Sequence, residues 1–168
     1  MSQVACTRCE HMSASRTHPK AVGDATQAMV LGRLVQAGKT VLVPFGENLR
    51  YDLLLDESGA FVRVQCKTGR LRDGAVWFPT CSSTYHYPNN QGVRYCQVPY
   101  TGQADVFGVY CPELDRVYVV PVCDVPLKSA ALRVDPARNN QTKGVRFARD
   151  YELSTSCPDR GRRAGGGD

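Results

Sequence analysis

No stretch of this 168-residue chain is apolar for long enough to cross a bilayer as a helix. Its longest apolar runs, such as VYVVPV at Val117–Val122, have the length of a strand. The first twenty residues, MSQVACTRCEHMSASRTHPK, lack the apolar segment of a secretory signal. The expected location is therefore cytoplasmic, with no membrane partner. No internal repeat is visible. Charge is not strongly one-sided either: 21 Lys and Arg stand against 16 Asp and Glu, a formal +5. That excess permits a polyanionic partner without requiring one. Part of it lies in the tail DRGRRAGGGD, where it can be solubilising disorder.

What is present fits one globular domain. Apolar content of 42% and charged content of 22% are ordinary, and the length suits one core better than two. Eight cysteines are many for this length. Without a secretory signal they read as reduced thiols. Cys66, Cys81, Cys96 and Cys111 are evenly spaced, but their surroundings do not repeat, and small buried hydrophobes in or beside strands are expected. Cys6-x-x-Cys9-x-His11 has the form of half a zinc site that His18 or Cys157 can complete; the alternative is a loose leader with free thiols.

Residues 1–18 carry no periodic apolar face and are expected to form a disordered leader. A helix should start near Gly23-Asp24, with Ala28, Leu31 and Leu34-Val35 at helical spacing and Gly38 closing its C-terminal end. Strands are expected at Thr40–Pro44, Tyr51–Asp56, Ala60–Thr68 and Ala75–Pro79, with a Ser58-Gly59 turn between the second and third. Thr80–Gln103, rich in Ser, Thr, Tyr, Asn and Pro, reads as a long loop. Asp105–Tyr110 and Arg116–Val122 should form a hairpin around Pro112–Asp115. Ala131–Val134 is a candidate short strand, Val145–Leu153 a last strand or short helix, and 155–168 a disordered basic tail. Residues 19–154 would then form one α/β domain (α+β, mixed sheet) with the N-terminal helix packed on a central sheet.

The chemistry is concentrated between Pro44 and Gly69. Side chains alternate along a strand, so Gln65 and Lys67 share a face and Cys66 points the other way. A hairpin can bring Asp52 close to both. A carboxylate, an amide oxygen and an ammonium at one sheet end suit metal-assisted phosphodiester cleavage, and the backbone carbonyl of Cys66 can add a third oxygen. The bland reading of the same residues is a solvated hairpin face with an ordinary ion pair.

These residues carry a resemblance. An Asp followed on the next strand by (Asp/Glu)-x-Lys is the pattern of the PD-(D/E)XK nuclease superfamily. The segments PFGENLRYDLLLD, VQCKTG, YTGQADVFGVYCPELDRVYVVPV and RFARDYEL resemble the group I intron-associated PD-(D/E)XK endonucleases, over approximately Gly23–Leu153. The resemblance implies a restriction-endonuclease-like core and a Mg²⁺-dependent endonuclease acting on double-stranded DNA, with Mn²⁺ as a possible substitute and a homo-oligomer expected. It implies Asp52 as metal ligand, Gln65 at the Asp/Glu position and Lys67 as catalytic lysine. The helix pattern Gly-Asp-x-Gly-Glu corresponds to Gly23-Asp24-Ala25-Thr26-Gln27, which offers Asp24 to the metal and Gln27 as site support. Asp24 is equally explained as an acid near a helix N-terminus. Two amides thus replace acids, Gln65 and Gln27, and the alternative is a catalytically weakened nuclease-fold DNA-binding protein. A third reading is a zinc-stapled interaction protein.

Arg50, Arg63, Arg70 and Arg72 bracket the site as candidate phosphate contacts. The segment SSTYHYPNNQ interleaves Tyr85 and His86 with amides that can stack on bases or read their edges; common loop chemistry is the alternative. Asp105 is a possible support for the site, or a solvent-facing strand start.

Overall fold

The first described element is the helix α1, Pro19–Gln36, in a computed structural model that describes residues 18–46, 48–86, 94–135 and 144–154. It begins four residues earlier than Gly23. Pro19 occupies a position where its missing N–H costs nothing and its fixed φ favours the helix, and His18 caps the end by accepting from the Lys20 N–H at 3.3 Å. Its C-terminus is closed as expected. Gly38 takes φ 76°, and the amides of Gly38 and Lys39 donate back to Val35 and Leu34 at 2.9 and 3.0 Å.

The strands follow as β1 (Thr40–Leu42), β2 (Leu53–Glu57), β3 (Ala60–Thr68), β4 (Arg70–Arg72), β5 (Ala75–Pro79), β6 (Cys81–His86), β7 (Arg94–Pro99), β8 (Val106–Cys111), β9 (Arg116–Pro121) and β10 (Ser129–Arg133). The main sheet has the order β1-β2-β3-β8-β9, antiparallel except for the parallel β3–β8 pair. A second sheet, β10-β5-β4, and the two-stranded ribbon β6-β7 complete the architecture. Between β2 and β3 the Ser58-Gly59 turn has positive φ at both residues, 54° and 100°, the two-residue geometry that matches strand twist.

Alternation along β8 and β9 sorts the core into two layers. Val117 joins Val30 and Leu34 of α1 and Leu53, Leu55 and Val64 of the sheet on one face. Phe107, Val109, Tyr118 and Val120 face the other way and pack against Val76, Phe78, Ala130 and Leu132 of the smaller sheet. The helix lies close because β8 offers Gly108 beneath it: a Cβ there would stand 2.7 Å from Val30 Cγ1. Leu34 is 1% exposed, and its truncation to Ala would cost about 2–5 kcal/mol.

Two expectations need correction, and one strand, β4, was not anticipated. Thr80–Gln103 is not a long loop: β6 and β7 pair from Cys81↔Pro99 to His86↔Arg94. A ribbon whose described side chains are mostly exposed or half-buried needs no apolar alternation, so its Ser, Thr and Tyr content reads as loop chemistry. A single residue separates β4 from β3, because Gly69 lets the chain pass between sheets; a Cβ there would lie 2.6 Å from Val76 Cγ1. Asp52 is not within a strand but immediately precedes β2. The segment 145–153 holds a short 3-10 turn, Ala148–Asp150, joined by bridges to Arg133 and Tyr118. No helix among the described residues is long and apolar enough to cross a membrane.

Candidate active site

Asp52 is held where β2 peels away from β3. Its N–H donates to the Val64 carbonyl at 2.8 Å, and its side chain then turns back over the strand. Oδ2 accepts from the Cys66 backbone N–H at 2.7 Å and from Gln65 Nε2 at 2.6 Å. The same Gln65 nitrogen lies 3.3 Å from the Cys66 carbonyl oxygen. A carboxylate oxygen and a carbonyl oxygen are therefore aimed at one point, and the amide NH₂ sits between them. Burial pushes the Asp52 carboxyl above its ordinary range; the Cys66 N–H and the charge of Lys67 partly oppose this. Asp52 thus carries a charge that folding has dehydrated and only partly compensated.

Helix α1 supplies the opposite wall. Thr26, buried, joins Thr68 of β3 through a 2.6 Å hydroxyl contact, and Gln27 Nε2 donates to the Asp52 carbonyl at 3.2 Å. Asp24, Gln27, Asp52, Gln65 and Cys66 line one cleft of about 250 Å³. An adjoining cleft of about 320 Å³ shares Asp24, Gln27 and Asp52 and opens between Lys20, Pro44 and Tyr51. Asp24 stands in the second helical turn, and the first turn holds no acid, so stabilisation of the helix start does not account for it.

Lys67 does not line these clefts. Its Nζ donates to the Tyr100 hydroxyl at 3.0 Å and lies 4.4 Å from the ring centroid. Its charge still reaches Asp52, and it shares the β3 face of Gln65. Cys66 is no nucleophile: burial, and then the Asp52 carboxylate, drive its thiol far above the range in which a thiolate forms.

The donor set fits a hard divalent cation in kind. Its members are oxygens: one carboxylate, one backbone carbonyl and, after a half-turn of the Gln65 amide, a side-chain carbonyl. Oxygens bound cis on an octahedral Mg²⁺ are about 2.9 Å apart, close to the 2.6 Å now separating Asp52 Oδ2 from the Gln65 amide. Among the described residues, no three His, Cys, Asp or Glu side chains cluster as metal ligands, so charge at the site is lean.

The bracketing arginines behave differently from one another. Arg63 forms a two-pronged pair with Asp105, at 3.0 and 2.7 Å, and also donates to the Gly102 carbonyl. This absorbs Asp105, whose carboxyl is held low by those hydrogen bonds. Arg50 spends its donors on Gln103, Ser82, Val98 and Pro99, with its guanidinium 4.2 Å from the Tyr100 ring centroid. Arg70 lies 3.5 Å from Glu113, while Arg72 is exposed and has no ion pair among the described residues. Tyr85 and His86 stand on β6, with backbones opposite Tyr95 and Arg94.

Cys66, Cys81, Cys96, Cys111 and Cys123 are free. Cys6, Cys9, His11 and Cys157, like the tail 155–168 and the leader up to residue 17, lie outside the described residues. His18 belongs to the helix cap. Tyr100 is the site neighbour that sequence reasoning missed; its position five residues before Asp105 gave no sign that it would fold under Lys67.

The family model described as PD-(D/E)XK endonuclease matches residues 17–154. Among solved structures, a bacterial homing endonuclease, I-Ssp6803I, is similar in fold, with a TM-score of 0.60 and 23% identity, covering 80% of this chain and 88% of that one. No match was found among curated proteins.

Proposed function

Because the chain belongs to the PD-(D/E)XK endonuclease family, we propose that it is a Mg²⁺-dependent endodeoxyribonuclease that hydrolyses phosphodiester bonds of double-stranded DNA, with Mn²⁺ able to substitute. One observation carries the reading: the Asp52 carboxylate, Gln65 amide and Cys66 carbonyl meet at one point in a cleft shared with Asp24. Asp52, Gln65 and Cys66 would hold the ion, with Asp24 placed to add a carboxylate from the helix. The ion so held would supply Lewis acidity, polarising a phosphodiester oxygen and lowering the pKa of water. Lys67, on the same face as Gln65, compensates negative charge that builds on the phosphoryl oxygens. Asp52 must be ionised to act, and Gln65 must turn its oxygen inward. Of the four bracketing arginines, Arg72 is exposed and without an ion pair among the described residues, and so is placed to meet a phosphate. The chain acts as a homo-oligomer, which lets two sites address two strands.

The second reading, a DNA-binding protein with a weakened site, is favoured by one feature. The Gln65 NH₂ group already satisfies both oxygens that a cation would bind. Plasmid DNA incubated with protein and Mg²⁺ or Mn²⁺ separates the two. The nuclease reading expects nicking or cutting, abolished in Lys67→Ala while DNA affinity stays within about twofold. Binding without cleavage in either metal would leave only the second reading.

A further inference from the structure

We propose that Tyr100 is the positioning residue for Lys67, fixing its ammonium through the phenolic oxygen, and that Arg50 fixes Tyr100 in turn. The inference rests on the reading of Lys67 as the residue that faces the reacting phosphate. A lysine side chain is a flexible four-carbon stem, and an ammonium that must meet developing charge works best when its place is set beforehand.

The Tyr100 ring is suited to that task. It is 5% exposed, and it packs edge-on against Phe107, with centroids 5.7 Å apart and planes at 89°. Phe107 is itself in edge contact with Phe78, so the ring is tied to the apolar layer between the two sheets. Its backbone is pinned as well: the Tyr100 carbonyl accepts from Gln103 and Ala104 at 2.9 and 3.0 Å. From this anchored ring the hydroxyl accepts from Lys67 Nζ at 3.0 Å. The π-cloud adds attraction for the same ammonium at 4.4 Å from the centroid.

A second cation lies over the same ring. The Arg50 guanidinium is held there by the Gln103 side chain, Ser82 Oγ and the carbonyls of Val98 and Pro99. Two cations repel, yet the fold holds both against one aromatic face system. The consequence is a continuous chain of contacts from the β6-β7 ribbon, through Arg50 and Tyr100, to Lys67. The Tyr100 hydroxyl is taken up by Lys67, and the Arg50 donors by Gln103, Ser82, Val98 and Pro99, so each acts through the lysine and not on substrate.

Tyr100→Phe tests this, because it keeps the ring, the edge contact and both cation contacts and removes only the hydroxyl. Two readouts are taken on the full chain. In single-turnover plasmid cleavage with Mg²⁺, the rate should fall about tenfold while DNA affinity and melting temperature hold. Independently of cleavage, ¹³C relaxation at the Lys67 Cε should show a lower order parameter in the variant, with Lys39 and Lys128 unchanged. An unchanged Lys67 order parameter overturns the proposal, as does a cleavage loss matched by equal loss of DNA affinity. If the unmodified chain cuts no DNA, the nuclease reading fails on that result, and the relaxation measurement still decides whether Tyr100 fixes the lysine.

Discussion

Two polar pairs stand side by side on β3, two residues apart, and the fold treats them in opposite ways. Arg63 closes on Asp105 with two parallel hydrogen bonds, and the backbone N–H of Arg63 adds a third at 2.8 Å. Asp105 is neutralised in place, and its carboxyl is held low by those bonds. Gln65 approaches Asp52 at similar distance but brings no charge. Burial drives the Asp52 carboxyl up, and Lys67 compensates it only from beyond ion-pair contact. A paired charge has little to gain from a cation, whereas a dehydrated and under-compensated one has much. The contrast supports the proposal that Asp52, beside β3, carries the reactive charge and the more conspicuous ion pair does not.

The largest break in that contrast is Asp52→Asn. It should abolish calorimetric Mg²⁺ binding and reduce cleavage on the order of 10³-fold, while melting temperature at pH 7 holds or rises because a buried charge has been removed. A variant that still binds Mg²⁺ would show that the ion sits elsewhere. Gln65→Glu sharpens the contrast in the other direction. Two carboxylates then meet where one stood, so the metal-free protein should melt earlier, and Mg²⁺ affinity should rise about tenfold. No gain in affinity would mean that charge at this position does not limit binding.

Acid separates the two aspartates next. The folded-state pKa of Asp52 is raised, so its protonated form favours the fold: that stabilisation is complete below the ordinary carboxylate range and lost as pH rises through the raised value. Metal binding needs the ionised form, so Mg²⁺ affinity should decline on acidification while pH is still above about 4, the ordinary aspartate value. Asp105 is lowered, so its contribution is present above the ordinary value and disappears only as pH falls through the lower one. The smallest effect is expected of Asp105→Asn. Its pair is exposed and screened, so melting temperature should drop by about 1–3 °C with Mg²⁺ binding unchanged.

The sequence exposed those parts of the molecule in which one local rule governs. β3 and β5 are found at their expected bounds because apolar and β-branched residues run between turn residues. Gly38 closes α1 because only a left-handed residue completes that helix end. Asp52, Gln65 and Cys66 came together because a two-residue turn fixes their register. What stayed hidden depends on contacts between distant segments. The β6-β7 ribbon lacks the apolar alternation that strand reading requires. Arg63 and Arg50 look like phosphate ligands until Asp105, Gln103 and Ser82 arrive from elsewhere to occupy their donors. Tyr100 reached Lys67 from 33 residues away, which no spacing rule anticipates.

The central claim is a divalent-cation site built on Asp52, and crystals grown with Mn²⁺ test it most directly through anomalous scattering. The account predicts one peak within bonding distance of Asp52 and of the Cys66 carbonyl, with the Gln65 amide turned to present its oxygen. A map without a peak there, and with the Gln65 nitrogen still donating to Asp52 at saturating Mn²⁺, would contradict it.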